Sequence, residues 1–448
     1  MSVYQGAGTP ALFTDLYELN MAQALVADGM TGEAEFELFF RDAGGLRGYT
    51  LLTGIEAVLT HLEHLHFTAA EIAYLETLGR FDASFLEWLQ HVCFRGDVDA
   101  MAEGSIAFPK EPVLRLRAPL PLAQIVETQV INAVNHASLV ATKAARIVDA
   151  AAGANVVDFG ARRAHGAGAA FTAARASWIG GCAGTSNMVA GQHLDLPVVG
   201  TMAHSYVQSF ARELDAFRAF TRHHPDTVLL VDTYDTLRGV ERVIELAAEQ
   251  GEDFRVRGIR IDSGDLGALA QACRQKLDAA GLHTVGIIVS GALNEYRIRD
   301  LVADGAPVDG FGVGTDLVVS RDLPSLDLAY KLVQYDGRGT LKASPDKATL
   351  PGPKQVFRDY AEGIMCGDTI ARVDENPGGE ALLQPAMRAG KRCTHPVDAH
   401  AAREHAHHQR ERLPGGLRTP DAASAPYPVR VSARLQADAD AAHAAAEN

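Results

Sequence analysis

The 448-residue chain is short of the features that mark export, membrane insertion or nucleic-acid binding. No apolar run approaches the roughly 20 residues that a membrane-spanning helix needs. The opening MSVYQGAGTPALFTDLYELN has neither the basic start nor the apolar stretch of a secretory signal. Five cysteines (Cys93, Cys182, Cys273, Cys366, Cys393) stand apart without CxxC spacing, which fits reduced thiols and speaks against a disulfide framework or a zinc site. Lys and Arg number 41 against 56 Asp and Glu, a net charge of −15, and no basic stripe relieves it, so nucleic acid and acidic membranes are not expected partners. The expected compartment is the cytoplasm. With 47% hydrophobic and 22% charged residues the composition is that of a globular enzyme, and the length suits more than one domain.

An acidic chain that handles an anionic ligand must gather its few cations locally, which directs attention to arginines beside glycine turns. The first 115 or so residues mix strand-like and helical segments and end in the turn-rich EGSIAFPKEPVLRLRAPLPL. Leu122, Ile125, Val126, Val130 and Val134 then recur at helical spacing in a segment reaching Gly153. Beyond it, ANVVDFG, LPVVGTMAH, TVLLVDTYD, GIRIDSGD, VGIIVSG and DGFGVGTD are short apolar runs ending in glycine or polar residues. Helical segments such as TLRGVERVIELAAEQ and LGALAQACRQKLDAAG separate most of them, the alternation of βαβ units in a parallel sheet.

Such a sheet opens into a doubly wound layer or closes into a barrel. Polar residues at nearly every strand end, among them Arg162, His204, Asp232, Asp262, Ser290 and Gly314, favour the barrel, because a doubly wound sheet would concentrate them at one switch point. The expected domains are 1–118 (α+β), 119–344 (α/β barrel) and 345–448, the last packing on the first. The tail histidines His395, His400, His405, His407 and His408 read as a solvated helix rather than a metal site.

Several strand ends carry chemistry. In DGFGVGTD, Gly310, Gly312 and Gly314 let backbone N–H groups approach a phosphate, or simply close a tight turn. GIRIDSGD crowds Arg260, Asp262, Ser263 and Asp265 around one strand end, suiting ribose hydroxyls, a magnesium ion or pyrophosphate, with a helix N-cap as the plain alternative. Arg162 and Arg163 suit bidentate anion binding or a surface salt bridge. His204 is either a packing residue or an acid, base or phosphoryl acceptor. In TDLYELNM, Thr14 or Asp15 would cap a helix.

Taken together, TDLYELNM, EFELFFRD, SLVATKAAR, DFGARRAHG, GTSNMVAG, GTMAHS, VDTYDT, IRIDSGDL, VSG, GVGTD and YKLV resemble, in the same order, the nicotinate phosphoribosyltransferase family. The resemblance implies an irregular (β/α) barrel of the type II phosphoribosyltransferase kind, with a smaller α+β domain built from the N- and C-terminal parts. It implies synthesis of nicotinate mononucleotide and pyrophosphate from nicotinate and phosphoribosyl pyrophosphate, in NAD salvage. It further implies Mg2+, a homodimer, and ATP as co-substrate acting through a phosphohistidine at His204. By the same carry-over Tyr17 helps enclose the pyridine ring across a subunit boundary, and Phe159 stacks on it. Arg162 and Arg260 match arginines near substrate and phosphate. Asp232 and Asp262 match acidic groups around ribose and metal, with Asp265 a further metal candidate. Gly291, Gly312, Gly314 and Thr315 match the 5′-phosphate cradle, Ser290 is a further substrate-binding candidate, and Ser186 lies in the GTSN turn. The sequence departs from the family after VSG, where Ala292 and Leu293 stand in place of an acidic or amide residue. Nicotinamide phosphoribosyltransferase and a catalytically silent nucleotide-binding regulator are the alternatives.

Overall fold

The computed structural model describes residues 9–41, 45–342, 349–419 and 426–446. Runs such as Gly258–Ile261 and Gly310–Val313 are too short for an amphipathic helix and rich in β-branched residues or glycine, so they are used as strands. With Asn155–Asp158, Gly184–Thr185, Val228–Leu230 and Gly286–Ser290 they make a six-stranded sheet in which every pair is parallel. Ile259, Ile261, Val289, Phe311 and Val313 are buried along it. Helices return the chain between strands, and polar residues start them. Asp235 caps Thr236–Gln250, Asp265 caps Leu266–Ala279 and Asn294 caps Glu295–Ala303, each accepting a hydrogen bond from the backbone of the first turn.

Across the sheet the strands run second, first, sixth, fifth, fourth, third in chain order. This is the order of a ring cut between its second and third members. The last strand, Gly310–Val313, returns to pair with the first, Asn155–Asp158, as in a barrel. A parallel bridge from Thr185 to Val198 extends the sheet at the seam. The observed architecture is therefore the irregular barrel that the strand ends favoured.

The chain divides into two compact units, 143–322 and, from both ends, 1–142 with 323–448. The expected barrel segment 119–344 is longer at both ends than the unit 143–322. The helix Glu127–Ala150 continues through the first division. After the second, Leu328–Tyr335 pairs antiparallel with Glu33–Phe40 and belongs with the chain ends. These two segments also make the unit built from both ends the larger by residue count. The expected division at 344/345 falls outside the described residues.

In that unit Glu33–Phe40 lies between Leu328–Tyr335 and Leu114–Pro119 in a seven-stranded sheet, backed by an apolar core that includes Phe36, Leu38, Val98, Leu116 and Val130. The helix Leu16–Ala27 has Asp15 as its N-cap residue. Asp15 does not cap through its side chain but accepts from Thr128 Oγ1 at 2.9 Å, while Thr14 donates to Glu18 and to the Ile125 carbonyl.

Candidate active site

The register of the parallel strands decides which side chains meet. Leu230 lies opposite Arg260, Val289 opposite Ile261, and Ser290 opposite Gly312. Two residues past Leu230 and one past Ile261, Asp232, Asp262, Ser290 and Gly312 fall on a single row at the carboxyl ends. Because strand side chains alternate, all four face the same side, with Arg260 two residues earlier on that side and Ile259 and Ile261 on the other. Hydrogen bonds tie the row together. Asp232 Oδ2 accepts from the Asp262 backbone N–H at 2.9 Å and from Ser263 Oγ at 2.7 Å, and Ser290 Oγ donates to Asp262 Oδ1.

Two glycines give this row its shape. At Gly312 a Cβ would lie 2.5 Å from two carbons of the Phe159 ring, so only glycine lets the ring come this close to the strand. At Gly291 φ is +91°, and a Cβ would strike the Asp262 carbonyl oxygen at 2.0 Å. Phe159 is held from its backbone, where its N–H donates to the Val313 carbonyl at 2.8 Å. Asp158 behind it is buried and accepts from Gly160 N–H and Thr185 Oγ1 at 2.7 and 2.8 Å; burial raises its carboxyl above the ordinary value.

Arg260 is the cation at the centre. Its Cζ sits 5.9 Å from the centre of the Phe159 ring, and Nη2 donates to the Met202 carbonyl at 2.9 Å. Burial lowers its pKa, Asp262 and Asp232 raise it, and Arg162 lowers it again. Arg260 Nε and Asp232 Oδ1 are both buried without a hydrogen-bond partner in the described structure. A buried donor and a buried acceptor left open costs about 1–3 kcal/mol each, so a pair of them at strand ends points to a ligand that completes them.

His204 begins the short helix His204–Gln208, and its Nδ1 lies 3.1 Å from Thr233 Oγ1, in the loop after the third strand. Arg162 is exposed in the turn Ala161–Arg163. Ser186 is exposed, its N–H donating to the Asp158 carbonyl at 2.8 Å. Gly314 precedes Thr315, the exposed first residue of the short helix Thr315–Val318. Asp265 is exposed and accepts from Ala268 N–H at 3.2 Å as an N-cap. Within GIRIDSGD, Asp265 is thus the helix N-cap of the plain alternative, while Asp262 stands in the strand-end row. Tyr17 belongs to the other unit, half-exposed on the helix Leu16–Ala27, and its hydroxyl is pushed well above the ordinary value by burial and by the carboxylates of Glu127 and Glu18.

Sequence reading did not single out Thr233, the Met202 carbonyl or Asp158. It also passed over the buried pairing of Lys143 and Arg146 with Glu295, at 2.5 and 3.1 Å. Lys143 and Arg146 sit one turn apart in an alanine-rich helical stretch, the available sign that the helix buries them. Of the tail histidines, His405 Nε2 meets Ser105 Oγ at 3.2 Å, and His407 and His408 lie near Glu411 on the helix Ala399–Glu411.

Comparison with known proteins matches two family models. One, described as the nicotinate phosphoribosyltransferase N-terminal domain, covers residues 12–135; the other, the nicotinate phosphoribosyltransferase family, covers 154–341. The chain is 50% identical over 436 residues to nicotinate phosphoribosyltransferase pncB2 of Mycobacterium tuberculosis, spanning 97% of this chain and 94% of that one. It is 41% identical over 384 residues to the nicotinate phosphoribosyltransferase of Bacillus subtilis, spanning 84% and 78%. The crystal structure of human nicotinic acid phosphoribosyltransferase superposes with a TM-score of 0.85 at 29% identity, covering 96% of this chain and 99% of that one. The barrel, its row of strand-end groups and these matches agree, and the chain belongs to the nicotinate phosphoribosyltransferase family.

Proposed function

We propose that the protein joins nicotinate to the ribose of phosphoribosyl pyrophosphate, forming nicotinate mononucleotide and releasing pyrophosphate, and so serves NAD salvage in the cytoplasm. The observation that carries this reading is the single row of Asp232, Asp262, Ser290 and Gly312 beside Arg260 and the Phe159 ring. In the transfer the pyridine nitrogen forms a bond to the ribose anomeric carbon as the bond to pyrophosphate breaks. The ring passes through a cationic state, and negative charge gathers on the leaving group. In this reading Asp232 and Asp262 take the sugar, and Arg260 with Arg162 the anions. Phe159 offers the pyridine a stacking face. The two glycine turns, at Ser290 and Gly291 and at Gly314 and Thr315, offer backbone N–H groups to the 5′-phosphate, beside Ser186 in its own turn.

A pyridine stacked on Phe159 keeps its carboxylate within the field of Arg260, which favours nicotinate over nicotinamide. Asp232, with its open Oδ1, and Asp262 fit a Mg2+ ion that retains waters and substrate oxygens; Asp265, already serving as an N-cap, fits it less well. When bound, Mg2+ neutralises charge on the departing pyrophosphate. His204, held by Thr233 at the same mouth, takes the terminal phosphoryl group of ATP, releasing ADP, and the hydrolysis of that phosphohistidine is coupled to transfer. A homodimer is supported by exposed apolar groups on both units. They include Phe13, Leu16, Tyr17 and Met21 on the N-terminal segment and Met188, Val198 and Val199 on the barrel. In this assembly Tyr17 closes the pyridine pocket of a neighbouring copy.

The test is a product assay with nicotinate or nicotinamide, phosphoribosyl pyrophosphate and Mg2+, with and without ATP. Mononucleotide and pyrophosphate from nicotinate, stimulated by ATP, are expected. Binding without turnover would favour the silent regulator, and equal use of nicotinamide would remove the specificity argument. His204→Asn should lose ATP hydrolysis and ATP stimulation but keep slow ATP-independent transfer; an undiminished ATPase would take His204 out of this role.

A further inference from the structure

Two helices of the barrel unit, Glu213–His223 and Thr236–Gln250, pack together and start side by side. At their N-terminal ends lies a cavity of about 450 Å³ lined by Arg212, Glu213, Tyr234, Asp235, Arg238 and Arg242. Its volume is that of a small-molecule site, and both helix dipoles present their positive ends to it. Two of the three arginines are not spent on ion pairs among the described residues. Arg242 pairs with Glu245 at 2.6 Å, but Arg212 and Arg238 are exposed and have no ion-pair partner within 4 Å among the described residues. In an acidic protein, two unpaired guanidinium groups beside a third mark a local exception to the overall charge.

Glu213 supplies an independent observation. Its Oε1 is buried and has no hydrogen-bond partner in the described structure. Burial pushes its carboxyl up to about 7, with Arg242 and Arg238 pulling the value down and Asp235 and Asp232 pushing it up. A carboxyl that carries a proton near neutral pH can donate to a phosphate oxygen, whereas the ionised form would repel it. Tyr234, 65% exposed at the rim, gives an aromatic face to any nucleobase attached to that phosphate.

We infer that this cavity is a second phosphoanion site, taking inorganic phosphate, pyrophosphate or the phosphate chain of a nucleotide, lined by residues outside the strand-end row. It is wired to that site through one loop. Asp232 holds Asp262 and Ser263, Thr233 meets His204, and the next two residues, Tyr234 and Asp235, line the cavity. An anion drawn in by Arg212 and Arg238 therefore acts on the loop that positions Asp232 and Thr233. The inference stands on the cavity alone, so its failure would leave the transferase reading untouched, and a failed transferase assay would leave the cavity to be tested.

The experiment is calorimetric titration of the full-length protein with inorganic phosphate, pyrophosphate and ADP, in wild type and in the double variant Arg212→Ala/Arg238→Ala. The double variant should lose one binding phase, or at least tenfold in affinity for it, while its turnover in phosphate-free buffer stays within twofold of wild type. An unchanged isotherm overturns the proposal. Glu213→Gln guards against a variant that merely perturbs the helices. It should tighten anion binding severalfold at pH 8, where the wild-type carboxyl is ionised, and unchanged or weaker binding there sinks the site. If Tyr234→Ala weakens ADP and spares phosphate, the occupant is a nucleotide; if both bind the variant as before, it is the inorganic anion. Either result keeps the site and names its source.

Discussion

Two arginines, one buried in the unit built from the chain ends and one half-buried in the barrel, are treated in opposite ways. Arg358, in the unit built from the chain ends, is fully buried and every nitrogen has a partner. Nη2 donates to Asp368 at 2.6 Å, Nε to the same carboxylate at 3.0 Å, and Nη1 to the Ile106 carbonyl at 2.9 Å. Tyr427 donates to Asp368 at 2.7 Å, and burial together with Asp368 holds the neighbouring Glu111 well above its ordinary value. Among the described residues, Arg260 in the barrel has one such bond, with Nε left open, as is one oxygen of Asp232. A guanidinium with every nitrogen bonded serves the fold, and one left open at strand ends suits the proposed ligand site, because leaving buried polar atoms unpaired is tolerated where a ligand restores them.

The sharpest break of that comparison is a matched pair of truncations. Asp368→Ala strands a buried guanidinium and should cost about 3–5 kcal/mol of stability, read by denaturant unfolding, with any loss of activity tracking the loss of folded protein. Arg260→Ala should lower kcat/KM by about 10²–10³ with little change in the unfolding midpoint. If Arg260→Ala proved the more destabilising of the two, the contrast between closed and open networks would be wrong. A smaller effect is expected at Gly312→Ala, whose Cβ would press 2.5 Å from the Phe159 ring. Overpacking there should cost about 1–3 kcal/mol and raise KM for nicotinate more than for phosphoribosyl pyrophosphate. Equal changes in both would take the ring out of pyridine binding.

The smallest effect concerns Glu18, buried and accepting from Thr14 and Thr128, with its carboxyl pushed up to about 7 by burial. The folded chain keeps this proton after the unfolded chain has released its own. Stability therefore falls as pH rises from the ordinary carboxylate range to about 7 and is level above it. Glu18→Gln should remove that slope, so the variant gains on wild type between pH 5 and pH 8 in unfolding experiments. Parallel pH profiles for the two proteins would show that Glu18 ionises normally.

Much of the barrel was legible because short apolar strands and intervening amphipathic helices carry different periods. The polar ends were legible too, since Asp232, Asp262 and Gly312 break apolar runs abruptly. The division between units was not, because the helix Glu127–Ala150 continues through it without a break in pattern, and the pairing of Leu328–Tyr335 with Glu33–Phe40 joins residues nearly 300 apart in sequence. Nor was the Arg212 and Arg238 cavity, whose arginines look like ordinary helix-surface charges when read one segment at a time.

From the order of residues alone came the alternation of strand and helix, the candidate helix cap at Asp265, and the family resemblance, all set by local chemistry and spacing. Tertiary structure decided the rest: that parallel register brings Asp232, Asp262, Ser290 and Gly312 into one row, that Phe159 takes the space a side chain at 312 would fill, and which buried polar atoms stay open. The physical reason is that periodicity tells which face of an element is apolar. Register and partner, which determine what each polar group touches, depend on contacts between segments far apart in the chain.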